Sequence, residues 1–514
     1  MYQYQYFKVD VFSHFFKLTF VTPRGRDVIQ TFLKNYIQMG LVRKGRRYVR
    51  EPVKVFGARI RDGSEYRFHI NQLTDFRRVC ADVGIPEEFI KPTVHELYAP
   101  APSKLQMLPH WIPRDYQEPI LEYLGSPEPN NRKLVEIQPG KGKTFLATRR
   151  AVDTGQRVVV IIKPAYMEKW IADFQKHCGI DKKDIISIQG SGPLMNLIAT
   201  AKQGKLDADV IIISNKTLQN WYTLYERKGR YSLDVGYDCL PEEFLPLLQA
   251  GVRIIDEVHQ DFHLNFKSDL YCHCPLTISL SATLISDDPF IARMYEVGYP
   301  RNHRYAGLEY DKYINSTAVF YTVTRPDLLR TTEWGSPNYS HHVFEQSVIK
   351  IDGLLQGYFE MIDTLVRDYY YKDYKPGNRC LVYCTSIQLC TLVAEFLKKR
   401  HPDKDVRRYV EDDPYENLME AEISVSTLLS AGTGHDIDLL STVILTTAVS
   451  SSASNIQGFG RLRNLAGIEK RFVYLVCLDV PKHLEYHGRK NELLLSRALT
   501  CTTSNYPIAL GKPT

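Results

Sequence analysis

The run Gln138-Pro139-Gly140-Lys141-Gly142-Lys143-Thr144 follows a short apolar segment, Leu134 to Ile137, and opens a stretch with helical spacing. Glycines at such a junction let backbone N–H groups close on phosphate oxygens, and the helix N-terminus adds its dipole. In this chemistry Lys143 reaches the β and γ phosphates of ATP, and the Thr144 hydroxyl binds Mg²⁺. The general pattern G-x-x-x-x-G-K-T would put glycine at 137, where the chain has Ile137; Gly140 supplies flexibility later in the loop. About 110 residues on, the apolar run Val252 to Ile255 ends in Asp256-Glu257. A strand-terminal aspartate beside a phosphate loop suits Mg²⁺ coordination. Glu257 is placed to orient or deprotonate an attacking water. Alone, an acidic pair after a strand is commonly a helix cap. With the phosphate loop upstream, it reads as the second half of an ATP-hydrolysing site.

Both motifs need strands that end side by side, and the sequence supplies them. From about residue 114, short β-branched runs alternate with helix-length segments: Leu134 to Ile137, Val158 to Ile162, Ile185 to Ile188, Val210 to Ile213, Val252 to Ile255 and Thr277 to Leu280. Fully apolar short strands separated by helices imply a parallel sheet covered on both faces. The texture resumes at Leu381 to Tyr383, Ile423 to Val425, Val443 to Leu445 and Phe472 to Val476. The expected fold class is α/β, with parallel-sheet lobes over 106–300 and 349–484, a connector over 301–348, and a C-terminal helix and tail over 485–514. Residues 1–105 read as a small α+β domain. Within it we expect a strand Phe15 to Val21, a helix Arg24 to Met39, a hairpin of Tyr48 to Ile60 with Tyr66 to Ile70 turning at Asp62-Gly63, and a helix Asn71 to Val83. A proline-rich linker, Pro92 to Pro113, follows. The segment 221–250 is either an insertion or two ordinary helices.

Charge adds a partner class. The 514 residues carry a net +6, yet residues 1–105 hold 18 Lys and Arg against 10 Asp and Glu, leaving the remainder at −2. A positive end concentrates phosphate polyanions. Arg43, Lys44, Arg46, Arg47 and Arg50 crowd the approach to the hairpin, with Arg59, Arg61 and Arg67 farther along it. Tyr48 and Tyr66 could stack on bases, although strand packing is the commoner fate. Ten cysteines include no C-x-x-C pair, so zinc and disulfide frameworks are not expected. No apolar run approaches a membrane span, and the first residues do not read as a secretion signal. A cytoplasmic protein is expected.

Asp256-Glu257-Val258-His259 resembles motif II of the DExH helicases of superfamily 2, and Ser281-Ala282-Thr283 is similar to their motif III. The resemblance gives His259, Ser281 and Thr283 a coupling role. Arg114-Asp115-Tyr116-Gln117 resembles the adenine-reading element, with Gln117 on the base. Gly432-Thr433-Gly434-His435-Asp436 resembles motif V, which puts Asp436 near the ribose and Gly434 near a phosphate, with Thr433 as a strand contact. Gln457-Gly458-Phe459-Gly460-Arg461-Leu462-Arg463 resembles motif VI. Arg461 is then the arginine finger assisted by Arg463, although the commoner spacing would put the second arginine where Asn464 stands. Lys163-Pro164 resembles motif Ia, Ser214 to Thr217 the next strand-contacting motif, and Thr385-Ser386 the equivalent place in lobe two. The resemblance covers roughly residues 110–480. It implies two RecA-like lobes that hydrolyse ATP between them.

A small N-terminal module ahead of a compact core also looks like the bacteriophage repair and recombination helicases related to UvsW. That implies an ATP-dependent DNA helicase or translocase acting on branched DNA: fork remodelling, junction branch migration and duplex unwinding. ATP and Mg²⁺ are the implied cofactors and DNA the implied partner, with no membrane and no stable protein partner inferable. If phage-encoded, it would work in the host cytosol. A DExH RNA helicase and an ATP-gated nucleic-acid clamp without unwinding remain alternatives.

Overall fold

The computed structural model describes residues 5–45, 47–127, 131–306, 309–334, 338–431, 437–465 and 467–511. They fall into two units: Met1–Ile137 with Lys141–Leu284 and Asp288–Leu308, and Glu309–Thr514 with Gln138–Gly140 and Ile285–Asp287.

The first unit opens with strands β1 (Lys8–Val11), β2 (Phe15–Thr19), β3 (Ile37–Lys44), β4 (Arg47–Val55), β5 (Ala58–Arg59), β6 (Glu65–His69) and β7 (Thr93–Val94). Five of them form a mixed sheet in the order β5-β6-β2-β1-β7. Helices Pro23–Leu33 and Leu73–Asp82 supply Phe32 and Phe76, which pack with Phe16 and Phe68 of the strands at ring separations of 5.0–6.4 Å. The Asp62-Gly63 turn forms as expected, with Gly63 at φ +72° and Ser64 N–H donating to Asp62 Oδ1 at 2.9 Å. It joins β6 only to the two residues of β5. The long basic hairpin is instead β3 with β4, with Lys44 opposite Arg47 and Leu41 opposite Arg50. The expected helix over 24–39 therefore ends at Leu33. Ile37 and Met39 continue its apolar spacing, but they also begin the period-two alternation of a strand.

A second sheet holds β8 (Arg132–Glu136), β9 (Val158–Ile162), β10 (Ile185–Ile188), β11 (Val210–Ser214), β12 (Val252–Ile255), β13 (Leu276–Ser281) and β14 (Arg304–Tyr305). The seven strands are parallel, in the order β10-β11-β9-β12-β13-β8-β14. β9 and β12 are buried along their whole length, as strands covered on both faces must be.

The N-terminal domain is fastened to this sheet by buried polar groups. Arg67, 1% exposed, donates from Nη2 to Glu242 Oε2 at 2.7 Å and from Nε to Glu65 Oε1 at 2.5 Å. Its guanidinium lies over the rings of Tyr271 and Tyr225, 4.6 and 5.3 Å from their centroids. Lys17 reaches the other Glu242 oxygen at 3.0 Å. This settles the segment 221–250. It is the end of helix Asn215–Lys228, a run of tight turns and a short helix Phe244–Leu247, held by Trp221 stacked on Tyr237 and edge-on to Phe244. The segment presents Glu242 to the N-terminal domain. Arg67, expected among the hairpin's phosphate contacts, is buried in this ion pair, and Tyr66 is packed in the core. A second tie runs from His14 Nε2 to Thr277 Oγ1 at 2.7 Å, with Thr277 also receiving Arg253 Nε at 3.0 Å. Arg253 pairs with Asp269, which lies 3.4 Å from His69. Burial and then Arg253 keep His14 uncharged; burial and then Arg132 hold His69 down at about 4.

The second unit is built on β15 (Ile314–Tyr321), β16 (Arg379–Cys384), β17 (Val406–Tyr409), β18 (Ile423–Thr427), β19 (Leu440–Leu445), β20 (Lys470–Cys477) and β21 (Thr500–Asn505). These seven are also parallel, in the order β17-β18-β16-β19-β20-β15-β21. Two expectations change here. The stretch 301–348 contains β14 of one sheet and β15 of the other, and the tail adds β21 at a sheet edge. β21 was hidden because it is polar throughout apart from Cys501, which its edge position allows; β15 carries Asn315-Ser316-Thr317 behind Ile314 and shows an apolar run only at Ala318–Tyr321. Cys380 and Cys384 are small buried thiols of β16.

Candidate nucleotide and nucleic-acid sites

β8 runs through the loop into helix Lys143–Thr154, whose twelve residues make a full N-terminal dipole. Gly140 and Gly142 sit at φ +83° and +79°, the left-handed region that turns successive N–H groups toward one side. A Cβ on Gly142 would stand 2.6 Å from Gln117 Nε2, so glycine is required there for space as well. Gln117, expected on adenine, is 4% exposed here. Its Oε1 accepts from Arg114 N–H at 2.9 Å and its Nε2 donates to the Lys141 carbonyl at 3.0 Å, so its amide braces the phosphate loop. Arg114 is exposed, with Nη1 3.3 Å from the Tyr116 hydroxyl.

Asp256 and Glu257 follow β12, one strand from β13 and two from β8. The Asp256 carboxylate accepts from Trp170 Nε1 at 3.1 Å and from Glu257 N–H at 2.8 Å, which leaves a lone pair on each oxygen for a cation. Burial, then the adjacent Glu257, push its carboxyl up, while Lys169 and Lys143 pull the other way. Trp170 had no signal in the sequence beyond its place in a helix. Glu257 itself sits at φ +49°, a strained conformation for a residue with a side chain. His259 Nδ1 is 2.9 Å from Ser281 Oγ, and its ring lies 3.4 Å from Glu257 Oε2. Burial and then the Lys143 charge hold His259 at about 4, so it is neutral at physiological pH. Ser281 Oγ passes the contact to Thr283, donating to its carbonyl at 2.7 Å. The three residues assigned to coupling are therefore joined by hydrogen bonds at the end of β13, with Glu257 Oε2 3.4 Å from the same His259 Nδ1 but not bonded to it. Thr144 is the second residue of its helix, and its hydroxyl, like the Asp256 carboxylate, is an oxygen donor of the kind Mg²⁺ takes.

In the second unit Gln457 lies on helix Ser452–Phe459, with Arg461 and Arg463 just beyond it. Arg461 is 5% exposed, with its charge close to the buried Tyr383 of β16, whose hydroxyl donates to the Ala431 carbonyl at 3.0 Å. Arg463 is half-buried and donates from Nη1 to the Gly460 carbonyl at 3.0 Å. Thr433, Gly434 and Asp436 lie outside the described residues.

The strand-contacting candidates divide. Pro164 is exposed, while Lys163 pairs with Asp261 at 2.9 Å. Thr217 is 5% exposed and its hydroxyl accepts from Gly190 N–H at 2.8 Å. Thr217 thus holds the neighbouring Gly190 loop in this structure. Thr385 is half-buried, its hydroxyl 3.0 Å from that of Thr447. On the hairpin, Arg47 and Arg50 are exposed, and Lys44 is exposed beside Glu51. Arg43 pairs in register with Tyr48, and Arg46 lies outside the described residues.

The fold class is α/β: two RecA-like parallel-sheet lobes, with a small basic α+β domain ahead of them. Among solved structures, the chain is similar to S. cerevisiae Dbp5 bound to RNA and ADP BeF3, at 11% identity over 76% of this chain and 90% of that one, with a TM-score of 0.49. It is similar to the Pyrococcus furiosus Hef helicase domain at 15% identity, over 73% and 98%, with a TM-score of 0.44. Mycobacterium smegmatis helicase Lhr bound to ssDNA and AMP-PNP gives 17%, over 76% and 49%, with a TM-score of 0.48. Likeness at this level adds nothing to the fold already read from the strand order. No protein-family model and no curated protein matches the chain.

Proposed function

We propose that this chain is an ATP-driven nucleic-acid motor of superfamily 2 that works on branched DNA. One observation carries the reading: the Asp256–Glu257 pair at the end of β12 feels the charge of Lys143 from a glycine-built phosphate loop, and His259, three residues on from Asp256, is hydrogen-bonded through Ser281 to Thr283.

In the proposed reaction, Lys143 and the N–H groups of the loop hold the β and γ phosphates. Thr144 and Asp256 would hold Mg²⁺, which when bound would neutralise charge on the phosphate oxygens. Glu257 orients a water whose oxygen bonds to the γ-phosphorus as the bond to the β-phosphate oxygen breaks; ADP leaves and the water's proton passes to Glu257 or to the phosphate. Arg461 and Arg463 act on the charge developing on the transferred group, which suits a permanent, planar cation. Neutral His259 reports the carboxylate's state to the end of β13. The exposed cations of the β3–β4 hairpin bind phosphates without reading sequence, and Arg67 and Glu242 fasten that hairpin's domain to the hydrolysing sheet.

The test is ATP hydrolysis by wild type and Glu257→Gln with no nucleic acid, single strands, duplex RNA, duplex DNA and four-way DNA junctions. Junctions should stimulate the wild type most, and the variant should lose about 100-fold or more in turnover. Stimulation by RNA alone would remove the DNA assignment. A variant as fast as wild type would remove the catalytic one.

A further inference from the structure

Behind the Thr385-Ser386 loop of the second unit lies a buried carboxylate with no place in the chemistry above. Glu345 is 0% exposed. Its Oε1 accepts from Thr385 N–H and its Oε2 from Ser386 N–H, both at 2.7 Å. The two peptides are thus pinned by one side chain, in the bidentate manner that makes such bonds strong. Ser386 in turn caps the fourteen-residue helix Ile387–Arg400, its Oγ accepting from Leu389 N–H at 3.2 Å.

Glu345 sits on helix His341–Lys350, and the two faces of that helix divide the work. His342 and Gln346, four residues apart, line a cavity of about 610 Å³ whose wall also includes Thr385, Ser386, Thr427 and Ser430. His341 and Glu345, also four apart, point the other way and are buried. His341 Nδ1 accepts from Ala448 N–H at 3.3 Å, which places the ring proton on Nε2. Nε2 has no hydrogen-bond partner and lies 3.8 Å from Glu345 Oε1. The His341 ring, whose Nδ1 also lies 2.6 Å from the Tyr339 hydroxyl, thus packs behind the carboxylate, while the loop's own amides hold it from in front. The cavity's hydroxyls suit the sugar–phosphate side of a strand, although the lining also includes the carboxylate Glu411.

We infer that Glu345 is a positioning residue: it sets the Thr385-Ser386 loop as one wall of a nucleic-acid strand seat in the second lobe, with His341 backing it. The inference rests on the motor reading and deepens it. Glutamine at 345 keeps the shape but replaces one acceptor with a donor, so one of the two peptides is released.

The experiment measures ATP hydrolysis against concentration of oligothymidylate and of a four-way DNA junction, for wild type and Glu345→Gln, with the nucleic-acid-free rate as control. The expected result is a rise of about tenfold in the nucleic-acid concentration giving half-maximal stimulation, with the maximal and nucleic-acid-free rates within twofold of wild type. A variant whose half-maximal concentration stays within twofold overturns the role of Glu345 but leaves the motor standing. Maximal and nucleic-acid-free rates that fall together with it mark a merely structural residue and also overturn it. A wild type stimulated by no nucleic acid removes the motor reading itself. Amide exchange in the wild type tests the pinning independently of any variant. Slow exchange at Thr385 and Ser386 without nucleic acid is expected; fast exchange at both overturns the inference.

Discussion

Replacing Glu242 with glutamine is the sharpest test of how the N-terminal domain is held. Burial alone would lift the Glu242 carboxyl, but Arg67 and then Lys17 pull it from an ordinary 4.5 down to about 2. At about 1.36 kcal/mol per pH unit, that difference is roughly 3 kcal/mol of folding free energy. Because the folded value is depressed, the contribution is complete above pH 4.5 and is lost as pH falls toward 2. The variant leaves Arg67 buried with Glu65 alone, and removing one partner of a buried pair typically costs about 3–5 kcal/mol. The two routes agree, so Glu242→Gln should destabilise the first unit by about 3 kcal/mol at neutral pH. Urea unfolding followed by tryptophan fluorescence reads that unit well. Trp170 and Trp221 are fully buried in it, whereas Trp334 of the second unit is fully exposed and changes little. The wild type should lose stability between pH 5 and 2, and the variant should lose roughly 3 kcal/mol less over that range. A loss under about 1 kcal/mol at neutral pH, the scale of a surface pair, would refute the reasoning. So would identical acid sensitivity in the two proteins.

Gly142→Ala forces a side chain into the left-handed region at about 1–2 kcal/mol and against Gln117, so affinity for a fluorescent ATP analogue should fall about tenfold or more. His259→Ala should reduce duplex unwinding about tenfold more than ATP hydrolysis, measured side by side. Since the imidazole of His259 is held at about 4, wild-type hydrolysis should show no inflection from it between pH 6 and 8. Arg47→Ala with Arg50→Ala should weaken duplex DNA binding and flatten its salt dependence by about one unit of slope for each phosphate no longer neutralised, read by titration at several salt concentrations.

The nucleotide site was legible because its chemistry demands local order: a strand, a glycine turn and a helix for the phosphates, and a strand ending in two carboxylates for the metal and water. Each fits within a few consecutive residues. What could not be read depends on distance. Arg67 and Glu242 are 175 positions apart, and nothing near Arg67 distinguishes it from the cations expected on phosphates. Thr217 looked like a strand contact because a hydroxyl after a strand often is one; its burial and its bond from Gly190 N–H are not visible in the sequence. β15, which carries Asn315-Ser316-Thr317 behind Ile314, β17, with two arginines among its four residues, and β21, with no apolar run, fell outside the apolar-run signal that found the other four strands of their sheet. Glu345 is a single glutamate in an ordinary helix, and its partners are backbone amides, which no sequence displays.

The docking of the N-terminal domain has a consequence for anyone who would trim or exchange it. Phe56 packs on Phe262, Phe266 and Phe290, and Arg132 donates to Asn71 beside His69. A protein cut in the proline-rich stretch would bare those rings and take His69 and Asn71 away from a buried arginine, so the remainder should be insoluble rather than minimal. The modular border on paper is thus not a border in the molecule. A chimera carrying another N-terminal domain would have to bring its own partners for Glu242 and Thr277, and recombination between relatives would favour crossovers that keep residues 1–105 and 215–280 together.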